Sequence, residues 1–391
     1  MDETVKQNIQ SMLDSAIQNG VTAGMSILVR KDNKDVCFIS RGYQNREKNI
    51  ELQRNTIFRL YSMTKPITAA AAMILMEQGK LDLGQPIETI LPGFKKLIVE
   101  ENGMFRPAKE SITPLYLLNM VSGLTYGDDI TESGKMITEY LQECEQKMFT
   151  PCSVTTEEFA NHIGTIPLAF DPATSFCYGL SADILGAIIE KLSEMSFGDF
   201  LSKYIFMPLG MSDTGFWVPQ EKQDRLAEVY EAREFEDMAI YTGNHLVVSN
   251  KMDCAPAFES GGAGLVSTVD DYARFAQMLL NGGSLDGVRI MSPQTVRFLT
   301  RGGLWTHQQE VMEQGGTTYS HFMRRVIDPG KTSGLSRKDE YGWDGWLGCH
   351  FANFPEENMT ILMMQQKRDA GMTSLIRRLR NVILANVDDI V

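Results

Sequence analysis

Basic charge is scarce in this chain. Thirty-seven Lys and Arg face fifty Asp and Glu over 391 residues, a formal charge of −13. Nucleic acid and anionic membrane surfaces both require a basic patch, so neither is expected as a partner. Long hydrophobic runs are also missing. The longest, Ala69 to Met76, falls far short of the roughly 20 residues of a membrane span. The opening MDETVKQNIQSMLDSAIQNG has no positive start followed by an apolar core, so no secretory signal is read there. Six cysteines (Cys37, Cys144, Cys152, Cys177, Cys254, Cys349) include no Cys-x-x-Cys pair. With the missing signal, this reads as reduced thiols in a cytoplasm.

Histidine is sparse as well. His162, His245, His307, His321 and His350 show no ligand spacing, and there is no His-Glu-x-x-His. No metal and no cofactor are therefore assigned. A Gly-x-x-x-x-Gly-Lys-[Ser/Thr] phosphate cradle is absent, as is a serine in Gly-x-Ser-x-Gly, which excludes the strand–turn–helix nucleophile elbow. What remains is an ordinary globular composition, 43% hydrophobic and 22% charged. A chain this long buries roughly three quarters of its unfolded surface and needs no disulfide or metal to fold.

The apolar pattern places a helix over 5–18 and a hairpin from Ser26–Val29 and Val36–Ser40 around Asp32-Asn33-Lys34. Ile67–Gln78 is apolar on nearly every side, which predicts a buried helix, with Gly79 placed to end it. From about 81 to 250 the chain reads as helices and loops. TTEEFANHIG offers a threonine N-cap, and SADILGAIIEKLSEM carries a stripe of Ile184, Leu185, Ile188, Ile189 and Leu192. VDDYARFAQMLLNGG is a helix ending in glycines. Gly345–Phe354 and Met359–Gln366 read as strands around Pro355-Glu356-Glu357-Asn358, and 373–387 as a closing amphipathic helix. The stretch 301–340 is long for a connection and reads as either a lid or a disordered excursion.

Three segments carry possible chemistry. In Phe58-Arg59-Leu60-Tyr61-Ser62-Met63-Thr64-Lys65-Pro66, a helix starting just after Ser62 brings Lys65 Nζ within reach of Ser62 Oγ. Pro66 supports that boundary, because a missing N–H is harmless only in the first turn. A serine there sits where the helix dipole favours a developing anion. A lysine near its free pKa of about 10.4 is neutral only about once in a few thousand molecules at pH 7. To act as a base it must be desolvated, and the apolar helix behind it supplies that environment. The competing reading is a chance Ser-x-x-Lys. The second segment is Phe170-Asp171-Pro172-Ala173-Thr174-Ser175-Phe176-Cys177-Tyr178-Gly179-Leu180-Ser181. Tyr178, at the end of a loop before a helix, can point into a cleft and relay a proton, or be a structural tyrosine. The third is Gly342-Trp343-Asp344-Gly345-Trp346-Leu347-Gly348, whose glycines suit either an edge strand lining a cleft or a turn before a hairpin.

In this order and at these separations, the three segments resemble the serine β-lactamase-like superfamily: class C β-lactamases, DD-peptidases and family VIII carboxylesterases. Ser62-x-x-Lys65 matches the nucleophile motif. Tyr178-Gly179-Leu180 stands where the family has Tyr-x-Asn, and Trp343-Asp344-Gly345 where lactamases have Lys-Thr-Gly and esterases often Trp-x-Gly or His-x-Gly. Gly79-Lys80-Leu81-Asp82-Leu83, Leu117–Leu124, Pro208–Met211 and Gly261–Thr268 also look like the family, over roughly 5–385.

The resemblance implies an α/β (α+β) fold. An antiparallel sheet flanked by helices would come from both chain ends (1–80 and 255–391), with an all-helical part (81–254) inserted and the site at their junction. It further implies acyl transfer by Ser62, with Lys65 and Tyr178 sharing the proton work and the backbone N–H groups of Ser62 and Trp346 holding the oxyanion. Trp343, Gly345, Tyr126 and Leu180 are candidates for lining the substrate pocket. Leu180 replaces an amide and Trp343 a cation, both of which would serve a lactam or peptide. Lys331-Thr332-Ser333-Gly334 lies in a polar loop and does not restore the lysine motif. The expected function is thus a serine carboxylesterase or related acyltransferase on a small ester or amide. The alternatives are a β-lactamase or D-amino-acid peptidase and, in another class, a non-catalytic binding protein on the same fold. The expected location is the cytoplasm.

Overall fold

In the computed structural model, which describes residues 1–233, 236–312 and 315–386, eight strands form one antiparallel sheet. They are β1 (Gly24–Lys31), β2 (Lys34–Asn45), β3 (Ile50–Glu51), β4 (Thr317–Ser320), β5 (Met323–Val326), β6 (Tyr341–Asp344), β7 (His350–Phe354) and β8 (Met359–Met364). Across the sheet they run β4-β5-β6-β7-β8-β1-β2-β3. The last strand therefore lies beside the first, with Leu28 opposite Leu362. The two chain ends build the sheet together, as the resemblance implied.

Local chemistry explains each element. The β1–β2 turn uses Asp32 and Asn33 at φ 51° and 62°, the left-handed pair that a two-residue hairpin needs. Side chains then alternate between the two faces of the sheet. Met25, Ile27, Val29, Ile361 and Met363 pack against α1 (Glu3–Gln18) and the last helix, α5 (Ser374–Ala385). Leu28, Phe351, Leu362 and Met364 face the larger core. Into that core go α2 (Thr64–Glu77), α3 (Ser181–Ser193) and α4 (Val269–Leu280). Residue 387, the expected end of the last helix, lies outside the described residues.

Helix α2 is the axis of the molecule. Every residue from Thr64 through Leu75 is buried. The run Ala69–Ala72 combines high helix propensity with side chains short enough to admit neighbours on all sides. The chain leaves the helix through Gly79 at φ 69°, a conformation glycine adopts without a steric penalty.

Three expectations change. Among its described residues, the 301–340 stretch is built into the fold rather than being a disordered excursion. It contains the helix Thr306–Met312, β4 and β5, and the latter two add an edge to the sheet by pairing with each other and with β6. Gly345–Phe354 is not one strand, because a turn over 345–349 separates β6 from β7. The insert is not wholly helical. Besides Glu132–Lys147, Thr156–Ile163 and α3, it carries two hairpins, Ile98–Glu101 with Met104–Pro107 and Tyr230–Arg233 with Glu236–Ile240. The threonine cap does form: Thr155 and Glu158 bond each other's backbone in a capping box. No helix among the described residues is long and apolar enough to cross a membrane.

Because Leu75 is fully buried in the last turn of α2, Leu75→Ala should cost about 2–5 kcal/mol, read as an earlier midpoint in urea unfolding.

Candidate active site

Chain direction brings the first segment to the centre. After Leu60 the backbone makes a 3₁₀ turn, Tyr61–Met63, that runs straight into α2. Tyr61 adopts φ 45°, a left-handed conformation that is unusual for a bulky residue and of a kind that clusters at functional sites. Ser62 is half-buried, and Pro66 falls in the first turn of α2, as expected.

Lys65 is fully buried, so its three amine protons need acceptors. It donates to Ser62 Oγ at 3.2 Å, Tyr126 Oη at 2.8 Å and the Gly262 carbonyl at 2.8 Å. The amine also stands 4.7 Å from the centre of the Tyr178 ring. Ser62, Lys65 and Tyr178 thus meet, but the hydroxyl bonded to the amine is that of Tyr126. Tyr178 presents its ring face to Lys65, and its oxygen accepts the Trp343 indole N–H at 2.9 Å. An indole only donates, so the Tyr178 proton is left to point elsewhere. Desolvation pushes Tyr126 well above the usual phenol range, and the nearby Tyr178 and Asp183 oxygens add to this.

Glycines decide which loops can approach. A Cβ on Gly179 would come 2.3 Å from the Leu124 carbonyl oxygen, so the Tyr178 loop lies directly on the Tyr126 loop, and the two rings meet edge-on at 5.6 Å. Asp171 anchors the start of that loop by accepting Arg106 Nη2 at 2.7 Å and the Lys109 N–H at 2.9 Å. The Arg106 bonds, helped by Lys109, hold its carboxyl down at about 2.

A Cβ on Gly345 would come 2.4 Å from the Leu60 carbonyl oxygen. This residue, expected to touch substrate, lets the turn after β6 press against the strand entering Ser62. Trp346 follows, its ring 4.9 Å from Tyr61 and stacked on His245 at 4.1 Å, its indole donating to Asp369 at 2.7 Å. Among the described residues, neither the Ser62 nor the Trp346 backbone N–H makes a backbone hydrogen bond outside the helices and strands, and Ser62 stands in the first turn of its helix, where N–H groups lack an intrahelical partner. Both remain able to receive an oxyanion.

Leu180 does not line the site. It is 2% exposed and belongs to the main core, because its carbonyl starts α3 and turns its side chain inward with the helix. Lys331 is exposed and paired with Asp328, outside the Ser62 cluster. Arg324, whose guanidinium lies 5.9 Å from the Trp343 ring, is paired with Asp344 at 2.6 Å.

Several participants escaped the sequence reading. The Gly262 carbonyl, the direct role of Tyr126 and buried Asp183 all depend on long-range packing. The available signals were the glycine pair Gly261-Gly262 and one acid, Asp183, inside an otherwise apolar stripe.

Asp171→Asn should lower the melting temperature at pH 7. In wild type the Asp171 carboxylate stabilises the fold fully above its ordinary pKa of 3.8, and this contribution is lost as pH falls through about 2. The difference between the two proteins should therefore close over that window in thermal melts.

The family model described as Beta-lactamase matches residues 7–384. An uncharacterized protein of Mycobacterium tuberculosis is 30% identical over 370 residues, covering 91% of this chain and 89% of that protein. Esterase EstB of Burkholderia gladioli is 25% identical over 277 residues, 68% of each. Among solved structures, EstCE1, described as a hydrolase with promiscuous acyltransferase activity, superposes with a TM-score of 0.81 at 21% identity over 98% of this chain and 99% of that one. At that identity the likeness speaks for the fold. The chain belongs to the beta-lactamase family of serine hydrolases.

Proposed function

We propose that this protein is a carboxylesterase, or a closely related acyltransferase, that forms an acyl-enzyme on Ser62. The observation that carries the reading is the Lys65 amine, fully buried and 3.2 Å from Ser62 Oγ. In its neutral form this amine takes the Ser62 proton as Oγ bonds to the ester carbonyl carbon. The backbone N–H groups of Ser62 and Trp346 receive the oxyanion. Removing one such donor costs about 3–4 kcal/mol of transition-state stabilisation. Collapse breaks the bond to the alkoxy oxygen, which leaves with a proton as alcohol. Tyr126 and Tyr178, hydroxyl and ring face against the amine, shape the proton's path. Water, or a second alcohol, then attacks the acyl carbon, returns its proton through the same groups and frees Ser62.

Esters are favoured over lactams and D-amino-acid peptides for a charge reason. Where the lysine motif would supply a cation for a substrate carboxylate, Trp343 supplies an indole already donating to Tyr178. The guanidinium beside it, Arg324, is neutralised by Asp344. A neutral ester asks for neither cation nor amide.

Ser62→Ala should abolish hydrolysis of short nitrophenyl esters, and a fluorophosphonate should add one phosphonyl mass to wild type alone. Turnover persisting in Ser62→Ala removes the proposal. Lys65→Ala should lose nearly as much rate, because members of a catalytic unit do not act additively. Fast nitrocefin turnover beside poor ester turnover would reassign the substrate class to lactams.

A further inference from the structure

The hydrolytic scheme makes no use of Asp183, yet this carboxylate is only 3% exposed, in the first turn of α3. Its Oδ1 accepts the Ser260 hydroxyl at 2.5 Å and the Gly262 N–H at 3.0 Å. The same Gly262 offers its carbonyl to Lys65 Nζ at 2.8 Å. One residue thus turns its N–H to an anion and its C=O to an amine.

The loop is fitted to this arrangement. A Cβ on Gly262 would come 2.8 Å from Asp183 Oδ2, and one on Gly261 2.3 Å from the Ala182 carbonyl oxygen. Ser260 Oγ also accepts the Ala263 N–H at 2.9 Å, and Thr68 of α2 donates to the Gly261 carbonyl at 2.7 Å. Residues 260–263 are therefore clamped between the helix that carries Lys65 and the helix that carries Asp183.

We infer that Asp183 is a positioning residue for the Ser62–Lys65 pair: it fixes the Gly262 carbonyl that receives the amine. This rests on Lys65 acting as the base in the proposed acyl transfer. The titratable groups packed around the pair are Tyr126, Tyr178 and, from β4, Tyr319. Desolvation holds Tyr126 and Tyr319 protonated. Burial pushes the Asp183 carboxyl up, while Lys65, the Ser260 hydroxyl and the Gly262 N–H oppose that rise.

The test is the rate at which a fluorophosphonate labels Ser62 across a pH series, followed by intact mass. In that step Oγ–P forms, P–F breaks, and the serine proton passes to Lys65, so no knowledge of the natural ester is needed. Asp183→Asn keeps the size and an acceptor oxygen but loses the charge. Its plateau rate should stay within a few-fold of wild type, whereas Asp183→Ala, which removes both acceptors, should lose about tenfold or more. A folded Asp183→Ala labelled at the wild-type rate, or an Asp183→Asn no faster than Asp183→Ala, overturns the inference. Ser260→Ala removes the donor that joins the loop to Asp183, so its plateau rate should also fall about tenfold. A wild-type plateau in Ser260→Ala overturns the positioning role, and this variant decides alone if Asp183→Ala does not fold. Failure of the wild type itself to take the label would refute the acyl-enzyme reading. A labelled wild type with unaltered variants refutes only the assignment to Asp183.

Discussion

A buried amine organises this molecule. Lys65 enters the interior in the first turn of a helix whose surroundings are otherwise apolar. An ammonium there is strongly destabilising unless its donors are satisfied. The three acceptors come from three places: the turn before the helix, the loop that carries Tyr126, and the loop at Gly262. Satisfying the amine and assembling the site are thus a single requirement. A chain that failed to bring those loops together would leave a charge stranded in its core.

Close backbone approach meets that requirement. The Tyr178 loop rests on the Tyr126 loop at Gly179, the turn after β6 rests on the strand before Ser62 at Gly345, and the 260–263 loop rests on α3 at Gly261 and Gly262. Each contact excludes a side chain because a carbonyl or carboxylate oxygen occupies its place. The aromatic groups then fill what remains. Trp343 ties the sheet to Tyr178, while Trp346, Tyr61 and His245 pack together on the other side of the turn that carries Ser62. The sheet edge, the helical insert and α2 each contribute one wall.

Much of this was legible in the order of residues. The hairpin at Asp32-Asn33, the buried helix after Ser62, the Thr155 cap and the β7–β8 hairpin follow from patterns of two or four residues, and local physics decides them. The pairing of Ser62 with Lys65 belongs to the same class, since both lie within one turn. Other readings needed distances that no local pattern holds. The sequence suggests Tyr126 as a pocket wall, yet it reaches the amine because Gly179 allows its neighbour to settle. It suggests Leu180 as pocket lining, yet the start of α3 turns it into the core. The 301–340 stretch reads as a lid or a disordered excursion because its short strands gain stability only by adding to a sheet edge built elsewhere.

From the chain alone came the pairing of a serine and a lysine one helical turn apart at the start of an apolar helix, because helix periodicity acts over a few residues. Tertiary structure alone decided which phenol bonds the lysine, which carbonyl completes its shell and which carboxylate backs that carbonyl. Those partners lie 61, 197 and 118 positions away along the chain from Lys65, and only packing of the sheet, the insert and α2 links them, the phenol and the carbonyl to the amine and the carboxylate to the residue that offers that carbonyl.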